Sequence, residues 1–317
     1  MLNFFYRYLS DFKNKIRGYF FLRKYRKDTP ESTLKFYNKM RYIYRNEFNK
    51  RENFSKILSN TKHIDILNNK GFIIVKLSDV SKKQEFNDKI KEFRKKFNDI
   101  VKDPKKNIHK KNYLIQYNLE FNKDIKILAD PFVDIATKYL GTLPILDSCQ
   151  MWLSPNDSYK LEGSKLLHRD PEDFKQLKIF IPVEEVQINN GPLNVIDKKE
   201  SKLLYEDLIK KKIISGRNQK IDDKYAKKLN LTNHKILLKN DECALVDTCA
   251  NYHYGSRISS KPRKLLFLHF TTAFSAKTPI FRSYDSEKKF FLDKDKLVYG
   301  LQKKTINHFK KRQYLNI

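Results

Sequence analysis

The sequence predicts a mainly β fold with flanking helices, in which the strands form a sandwich or a barrel. After Pro144 the chain changes to short apolar or alternating runs, at 145–153, 177–186, 193–196, 243–247 and 264–272. Gly, Pro, Asn and Asp separate these runs, as is typical of all-β domains. Apart from one strand, the residues before Pro144 instead show helical periodicity. A chain of 317 residues can bury one large core of this kind.

The first 60 residues are aromatic and basic. Phe4, Phe5, Leu9 and Phe12 recur at helical spacing, with Lys and Arg filling the positions between them. We predict a basic extension of amphipathic helices at 1–60. Such an apolar stripe packs on the protein's own core or, in a second interpretation, docks a partner or an anionic membrane surface.

A strand and two amphipathic helices follow this extension. The strand covers 71–77. The first helix covers 82–99 and places four apolar side chains three or four residues apart on one face, namely Phe86, Ile90, Phe93 and Phe97. The second helix covers 131–139 and ends at Gly141, a residue type that commonly terminates helices.

The remaining segments complete the predicted organisation. The polar, Lys-rich segment 197–238 interrupts the strands and predicts a helical insertion that covers the mouth of a barrel. The core domain is predicted at 61–280, with a basic tail at 281–317.

Charge and cysteine content restrict the partners and the compartment. A formal net charge of +29 favours anionic partners such as nucleic acid. The same charge is also expected from the Lys-, Asn- and Ile-rich composition that an AT-rich genome produces, in which case the basic residues form solvated surfaces. Composition alone therefore does not establish a nucleic-acid partner. Three cysteines without metal-site spacing, and no apolar run of about 18 residues, predict a reduced, cytoplasmic protein.

A His and an Asp lie two residues apart at the start of the β-rich region. Residues i and i+2 of a strand point to the same face, so His168 and Asp170 lie side by side while Arg169 points away. A second imidazole from a distant strand would complete a triad of two His and one carboxylate, which leaves three positions open on iron(II). The pair alone is weak, because His-x-Asp occurs by chance as a surface His near an acid.

Two downstream residues strengthen the metal interpretation. His253 lies at a turn just beyond a strand, from which it can face inward. Arg263 opens the next strand ten residues later, and a guanidinium pairs with a carboxylate through two hydrogen bonds. The rivals are His269, which we interpret as a core histidine within a strand, and Arg257, which falls in the turn, where contact with solvent or substrate is the simpler interpretation.

Three stretches resemble the phytanoyl-CoA dioxygenase-like family of iron(II)- and 2-oxoglutarate-dependent oxygenases. They are 164–173 (SKLLHRDPED), 189–196 (NNGPLNVI) and 246–263, and the likeness spans 71–274. The resemblance implies a double-stranded β-helix, a jelly-roll core of cupin type. Where the family has a Pro-Gly-Ser-His turn, this chain continues DKKES at 197–201, so the loop that follows cannot be inferred by analogy.

The resemblance also implies roles for individual residues. The metal ligands, which are also the catalytic residues, would be His168, Asp170 and His253. The co-substrate residues would be Arg263, which anchors a carboxylate, together with Phe180 and Ser256.

The implied enzyme is a dioxygenase that uses iron(II), 2-oxoglutarate and dioxygen, with ascorbate as a candidate stimulant. It would hydroxylate a small-molecule, lipid or sugar-type substrate and convert 2-oxoglutarate to succinate. Two alternatives stay open, namely an oxygenase that acts on nucleic acid or another anionic macromolecule, and a non-catalytic cupin-like binding protein.

Overall fold

The structure, a computed structural model, describes most of the region that carries the predicted core. The described residues are 34, 38, 52 and 62–272, except for 103–106, 112–113, 120–121, 158, 171–172, 215–219, 223–224, 226–229 and 256. Apart from three isolated residues, the predicted extension at 1–60 lies outside this part of the chain. The predicted tail at 281–317 also lies outside it.

Apart from one, the α-helices whose bounds the structure gives lie before Pro144. They are α1 Lys62–Lys70, α2 Leu77–Val80, α3 Gln84–Lys102, α4 Lys123–Leu140 and α5 Lys198–Lys210. Helix α4 begins at the cap residue Asn122, whose side chain accepts a hydrogen bond from the Ile125 N–H at 3.0 Å, and it ends at Gly141 as predicted. Its start lies eight residues before the predicted one, because Pro131 is inside the helix and does not begin it.

The strands are short and antiparallel. They are β1 Phe72–Lys76, β2 Asn107–Lys111, β3 Leu114–Asn118, β4 Ile145–Ser154, β5 Gln176–Pro182, β6 Leu193–Ile196, β7 Asn233–Ile236, β8 Glu242–Val246, β9 His253–Tyr254 and β10 Arg263–Thr271. The runs that predicted strands near 71, 145, 177, 193, 243 and 264 all form strands.

Two sheets enclose the interior. The major sheet has the order β1-β8-β5-β10-β4-β3-β2, and the minor sheet has the order β7-β6-β9. Backbone bridges from Leu167 to Ile221 and from His168 to His253 add the segment 167–168 beside β9. From β4 to β10 the chain passes repeatedly between the two sheets, which is the topology of a double-stranded β-helix, or jelly roll. The fold class predicted from the sequence is therefore confirmed.

Apolar residues form three layers around these sheets. Between the outer face of the major sheet and helices α1, α3 and α4 lie Leu67, Phe86, Phe132, Ile179 and Leu266, among others. The barrel interior contains Phe180, Val195, Val246, Leu265 and Phe267. Outside the minor sheet lie Leu167, Ile196, Leu204, Leu208 and Tyr252. The major sheet thus has apolar side chains on both of its faces.

The insertion at 197–238 differs from its prediction. Helix α5 packs through Leu204 and Leu208 on the outer face of the minor sheet, so the described helix does not cover the barrel mouth. The same segment also contains β7, a strand of the minor sheet that pairs with β6. Among the described residues, no helix is both long enough and apolar enough to cross a membrane.

Candidate metal and co-substrate site

The fold brings His168, Asp170 and His253 together. The ligand atoms that these three side chains offer all lie within 4.8 Å of one another. The Nε2 atom of His168 lies 3.6 Å from Oδ1 of Asp170, and the Nε2 atom of His253 lies 3.8 Å from Oδ2 of the same carboxylate. All three residues are buried. The predicted triad is thus a spatial cluster.

Backbone pairing positions the two imidazoles. The N–H of His168 donates to the carbonyl of His253 at 3.0 Å, and the N–H of His253 donates to the carbonyl of His168 at 2.8 Å. Residues paired in this way on antiparallel strands present their side chains on the same face. The ring centroids consequently lie 4.3 Å apart.

Each imidazole is oriented by its other nitrogen. The Nδ1 atom of His168 lies 2.7 Å from the carbonyl oxygen of Leu166, and Nδ1 of His253 lies 3.0 Å from the carbonyl oxygen of Asn251. A carbonyl can only accept a hydrogen bond, so both Nδ1 atoms carry the proton. Both Nε2 atoms then present a lone pair, as ligands to a metal must.

The electrostatic environment keeps the distal imidazole neutral. Burial, and secondarily the nearby His168, lowers the pKa of His253 to about 3. A metal binds the neutral form of an imidazole, so a histidine with this pKa needs no deprotonation near neutral pH.

The residue between the two proximal ligands points away from them, as predicted. Arg169 donates from Nε to the carbonyl of Cys249 at 2.7 Å, and its guanidinium lies 4.7 Å from the ring centroid of Tyr205 on α5. The segment 168–170 therefore faces the site on one side and helix α5 on the other.

Arg263 is a buried cation at the start of β10. It donates from one terminal nitrogen to the carbonyl of Gly191 at 2.7 Å and from the other to the hydroxyl of Ser154 at 3.3 Å. Burial lowers its pKa to about 10, so the guanidinium stays charged at neutral pH. Both of these acceptors are neutral oxygens, and they hold the guanidinium in position. Such a group suits an anionic ligand.

Two glycines allow this arrangement. Gly191 has a φ of 59°, and a Cβ there would lie 2.8 Å from the backbone oxygen of Arg257, so only glycine presents its carbonyl to Arg263 in this turn. A Cβ on Gly255 would lie 3.3 Å from both terminal nitrogens of Arg263. Because Gly255 is two residues beyond His253, the guanidinium lies against the strand that carries the distal imidazole.

An aromatic wall lines the same interior. Phe180 is buried, with its ring centroid 5.4 Å from that of Phe267 and 5.9 Å from that of Trp152, which stacks on Phe267 at 4.0 Å. Along β10 the inward positions alternate from Arg263 through Leu265 and Phe267 to His269. The predicted co-substrate residue Phe180 thus faces the barrel interior, whereas Ser256 lies outside the described residues.

The rival residues take other roles. His269 is a buried, hydrogen-bonded histidine, with Nε2 2.7 Å from Oε1 of Gln176 and Nδ1 3.3 Å from a carboxylate oxygen of Asp147. Arg257 is partly exposed, stacks over the ring of Tyr254 at 3.7 Å, and donates to a backbone carbonyl. Both interpretations made from the sequence agree with these positions.

Two residues of the site were missed in the sequence. Lys178 forms an ion pair with the carboxylate of Asp170, and the side-chain amide of Gln176 lies 3.4 Å from the same carboxylate. Both occupy alternate positions of β5 in register with Phe180. The alternation in the run QLKIF at 176–180 therefore contained the signal, since a side chain two residues from Phe180 shares its face.

The donor set fits iron(II). Two imidazole nitrogens and one carboxylate oxygen form the triad that holds non-haem iron while leaving coordination positions open. Among the described residues this is the one group of three or more His, Cys, Asp or Glu side chains that could hold a metal ion. The three cysteines are buried elsewhere and contribute no thiolate to it.

Comparisons with known proteins give similarity to solved structures alone. SnoK, a non-heme alpha ketoglutarate dependent carbocyclase from nogalamycin biosynthesis, is 12% identical, with a TM-score of 0.48 over 69% of this chain and 86% of that chain. EctD from S. alaskensis with bound Fe is 14% identical, with a TM-score of 0.45 over 68% and 77%. HygX from Streptomyces hygroscopicus with nickel and 2-oxoglutarate bound is 14% identical, with a TM-score of 0.45 over 68% and 89%. No protein-family model and no curated protein matches the sequence.

Proposed function

We propose that this protein is an iron(II)- and 2-oxoglutarate-dependent oxygenase that hydroxylates a small-molecule, lipid or sugar-type substrate. The proposal rests on one observation, which is that a metal-ligand triad and a buried arginine lie in the same barrel. The triad of His168, Asp170 and His253 lies in the same barrel as the buried guanidinium of Arg263, which packs against Gly255 two residues beyond His253. A metal site that only activates water has no use for that guanidinium, whereas a dicarboxylate co-substrate needs both.

In this proposal the three ligands hold iron(II), and Arg263 binds the far carboxylate of 2-oxoglutarate through its two terminal nitrogens. With iron and dioxygen bound, the co-substrate loses CO₂ and becomes succinate, taking one oxygen atom, while the other oxygen atom converts a substrate C–H into an alcohol. Phe180, Phe267 and Trp152 supply an apolar wall for the methylene carbons of the co-substrate and exclude water from it.

The chain's own residues perform the remaining tasks. The imidazole of His253 is neutral at working pH and needs no proton transfer before it binds metal. The carboxylate of Asp170 offsets one charge of the ion. The guanidinium of Arg263 is already positioned by Gly191 and Ser154, so little rotational freedom is lost when the carboxylate binds.

The test uses the purified protein without oxygen. Iron(II) and 2-oxoglutarate are added, and the weak visible charge-transfer band of the chelate is recorded, followed by succinate formation when air is admitted. We expect a band that requires both additions, and slow succinate release without substrate. The absence of both the band and succinate would refute the proposed function.

A further inference from the structure

Lys178 is a charged side chain within the barrel interior. It lies on β5 opposite His269 of β10 and Val246 of β8, on the face that also carries Phe180. The residue is 8% exposed. Burying an ammonium group is costly unless it is paired and hydrogen-bonded, so its place in the barrel requires a specific partner.

That partner is one oxygen of the triad carboxylate. The ammonium of Lys178 contacts Oδ2 of Asp170, and the amide of Gln176 approaches the same oxygen at 3.4 Å. Oδ2 also lies 3.8 Å from Nε2 of His253, whereas the other oxygen, Oδ1, lies 3.6 Å from Nε2 of His168. The two oxygens of one carboxylate thus have different surroundings.

Gln176 is itself fixed in place. Its amide nitrogen donates to the hydroxyl of Thr248 at 2.5 Å, and its amide oxygen lies 2.7 Å from Nε2 of His269. His269 in turn contacts Asp147, which is the extra residue of a β-bulge between β4 and β10. The group beside Asp170 is therefore anchored on three strands of the major sheet and on the residues after β8.

We propose that Lys178 is a positioning residue that keeps Asp170 bound to the metal through a single oxygen. This inference rests on the proposed function. Because the ammonium already binds Oδ2, the ion would be bound through Oδ1, which would leave three adjacent coordination positions for the co-substrate and dioxygen. Without the ammonium, the carboxylate can turn and bind through both oxygens, which removes one of the positions that 2-oxoglutarate requires.

The experiment compares wild-type protein with Lys178→Met, which keeps the length of the side chain but removes its charge. Mn(II) is the probe metal, since it occupies the site without redox chemistry. At saturating Mn(II), water-proton relaxation reports how many exchangeable water molecules the ion carries, and calorimetry gives the dissociation constant of 2-oxoglutarate. We expect the relaxation enhancement to fall by about a third, from three water molecules to two, and the dissociation constant to rise about tenfold or more.

The matched control is Lys264→Met. Lys264 lies on the neighbouring strand β10 and pairs with Glu184 at 2.6 Å, away from the triad. Its loss should change neither readout. Lys178→Arg, which keeps a cationic donor, should restore 2-oxoglutarate binding to within about threefold of wild type. Lys178→Gln replaces the methionine variant if that protein does not fold, and it is judged by the same two readouts.

The outcomes separate two failures. Wild-type protein that binds neither Mn(II) nor 2-oxoglutarate would contradict the proposed function itself. Wild-type protein that binds both, with a Lys178→Met variant of the same relaxation and the same 2-oxoglutarate affinity, would overturn the positioning role alone. Complete loss of Mn(II) binding in the variant would also overturn it, because the ammonium would then be required for metal affinity and not for the binding mode of Asp170.

Discussion

His168 and His253 are 85 positions apart in the sequence and form one hydrogen-bonded pair of residues, with N–O distances of 3.0 and 2.8 Å in the two directions. The separation of the two imidazoles is thus set by the spacing of adjacent strands and not by loops. A site held by the sheet backbone is ordered before any ligand arrives, so substitutions in it should act on binding and chemistry more than on folding.

Asp170→Ala should strongly weaken metal binding. The substitution removes the single anionic ligand of the triad, and loss of an outer partner alone already costs about 10- to 100-fold in metal affinity. We expect Mn(II) affinity to fall at least about a hundredfold and succinate formation to stop. Calorimetry and a succinate assay measure the two effects. Asp197→Ala, which removes a partly exposed carboxylate near His234, is the control, and equal losses in both variants would contradict the assignment.

Arg263→Lys should weaken 2-oxoglutarate binding while leaving the metal in place. A lysine keeps the charge but cannot make two parallel hydrogen bonds to a carboxylate. The loss of such a bond costs about 2–3 kcal/mol, or about 30- to 150-fold in affinity. Arg257→Lys changes the partly exposed rival arginine and should have little effect. The measurement is the dissociation constant of 2-oxoglutarate in the metal-loaded protein. A larger effect of the Arg257 substitution would assign the carboxylate anchor to Arg257 instead of Arg263.

Gly255→Ala should also weaken 2-oxoglutarate binding, in this case through steric contact alone. The added methyl group would lie 3.3 Å from both terminal nitrogens of Arg263, so the guanidinium has to shift by a few tenths of an ångström. We expect the KM for 2-oxoglutarate to rise about tenfold, because a two-point hydrogen bond depends on direction. Thermal unfolding should change little. An unaltered KM would show that the co-substrate carboxylate does not bind at this guanidinium.

The metal-free protein should lose stability in mild acid. Burial lowers the pKa of His253 to about 3 in the folded state, whereas an unfolded histidine titrates at about 6.5. Between these values the unfolded chain binds a proton that the folded chain does not. The free energy of unfolding therefore falls by about 1.4 kcal/mol for each pH unit below 6.5, and His253 contributes no pH dependence above 6.5.

Urea unfolding between about pH 5 and pH 7.5 measures this dependence. His253→Gln should show a shallower slope than wild type. Identical slopes in the two proteins would contradict a depressed pKa for His253.

The sequence predicted strands β1, β4, β5, β6, β8 and β10, and it missed β2, β3, β7 and β9. Strand β7 (NHKI) has a single buried apolar residue, and β9 is two residues long, so neither contains enough alternation to be recognised. These two strands belong to the minor sheet, where pairing with β6 and the segment 167–168 decides their conformation. The local sequence could not show that pairing with neighbouring strands would make a polar segment into a strand.

The sequence predicted those site residues whose side-chain type alone indicates a metal ligand or a carboxylate anchor. His168, Asp170 and His253 meet as expected, and Arg263 is buried where Arg257 is not. Lys178 escaped notice because lysine on a strand is ordinarily solvated. Its position two residues before Phe180 was the available signal, because the two side chains share the face of β5 that the barrel turns inward.

Helix α5 affects the site without lining it. It covers Arg169, and the backbone of that residue joins the two proximal ligands. A substitution at Tyr205 that loosens this packing would displace the segment that carries His168 and Asp170. Turnover would then fall although every residue that lines the pocket is unchanged. Screens for improved or altered activity should therefore recover changes on this outer helix as well as around the barrel mouth, and a map limited to the residues that touch ligand would overlook them.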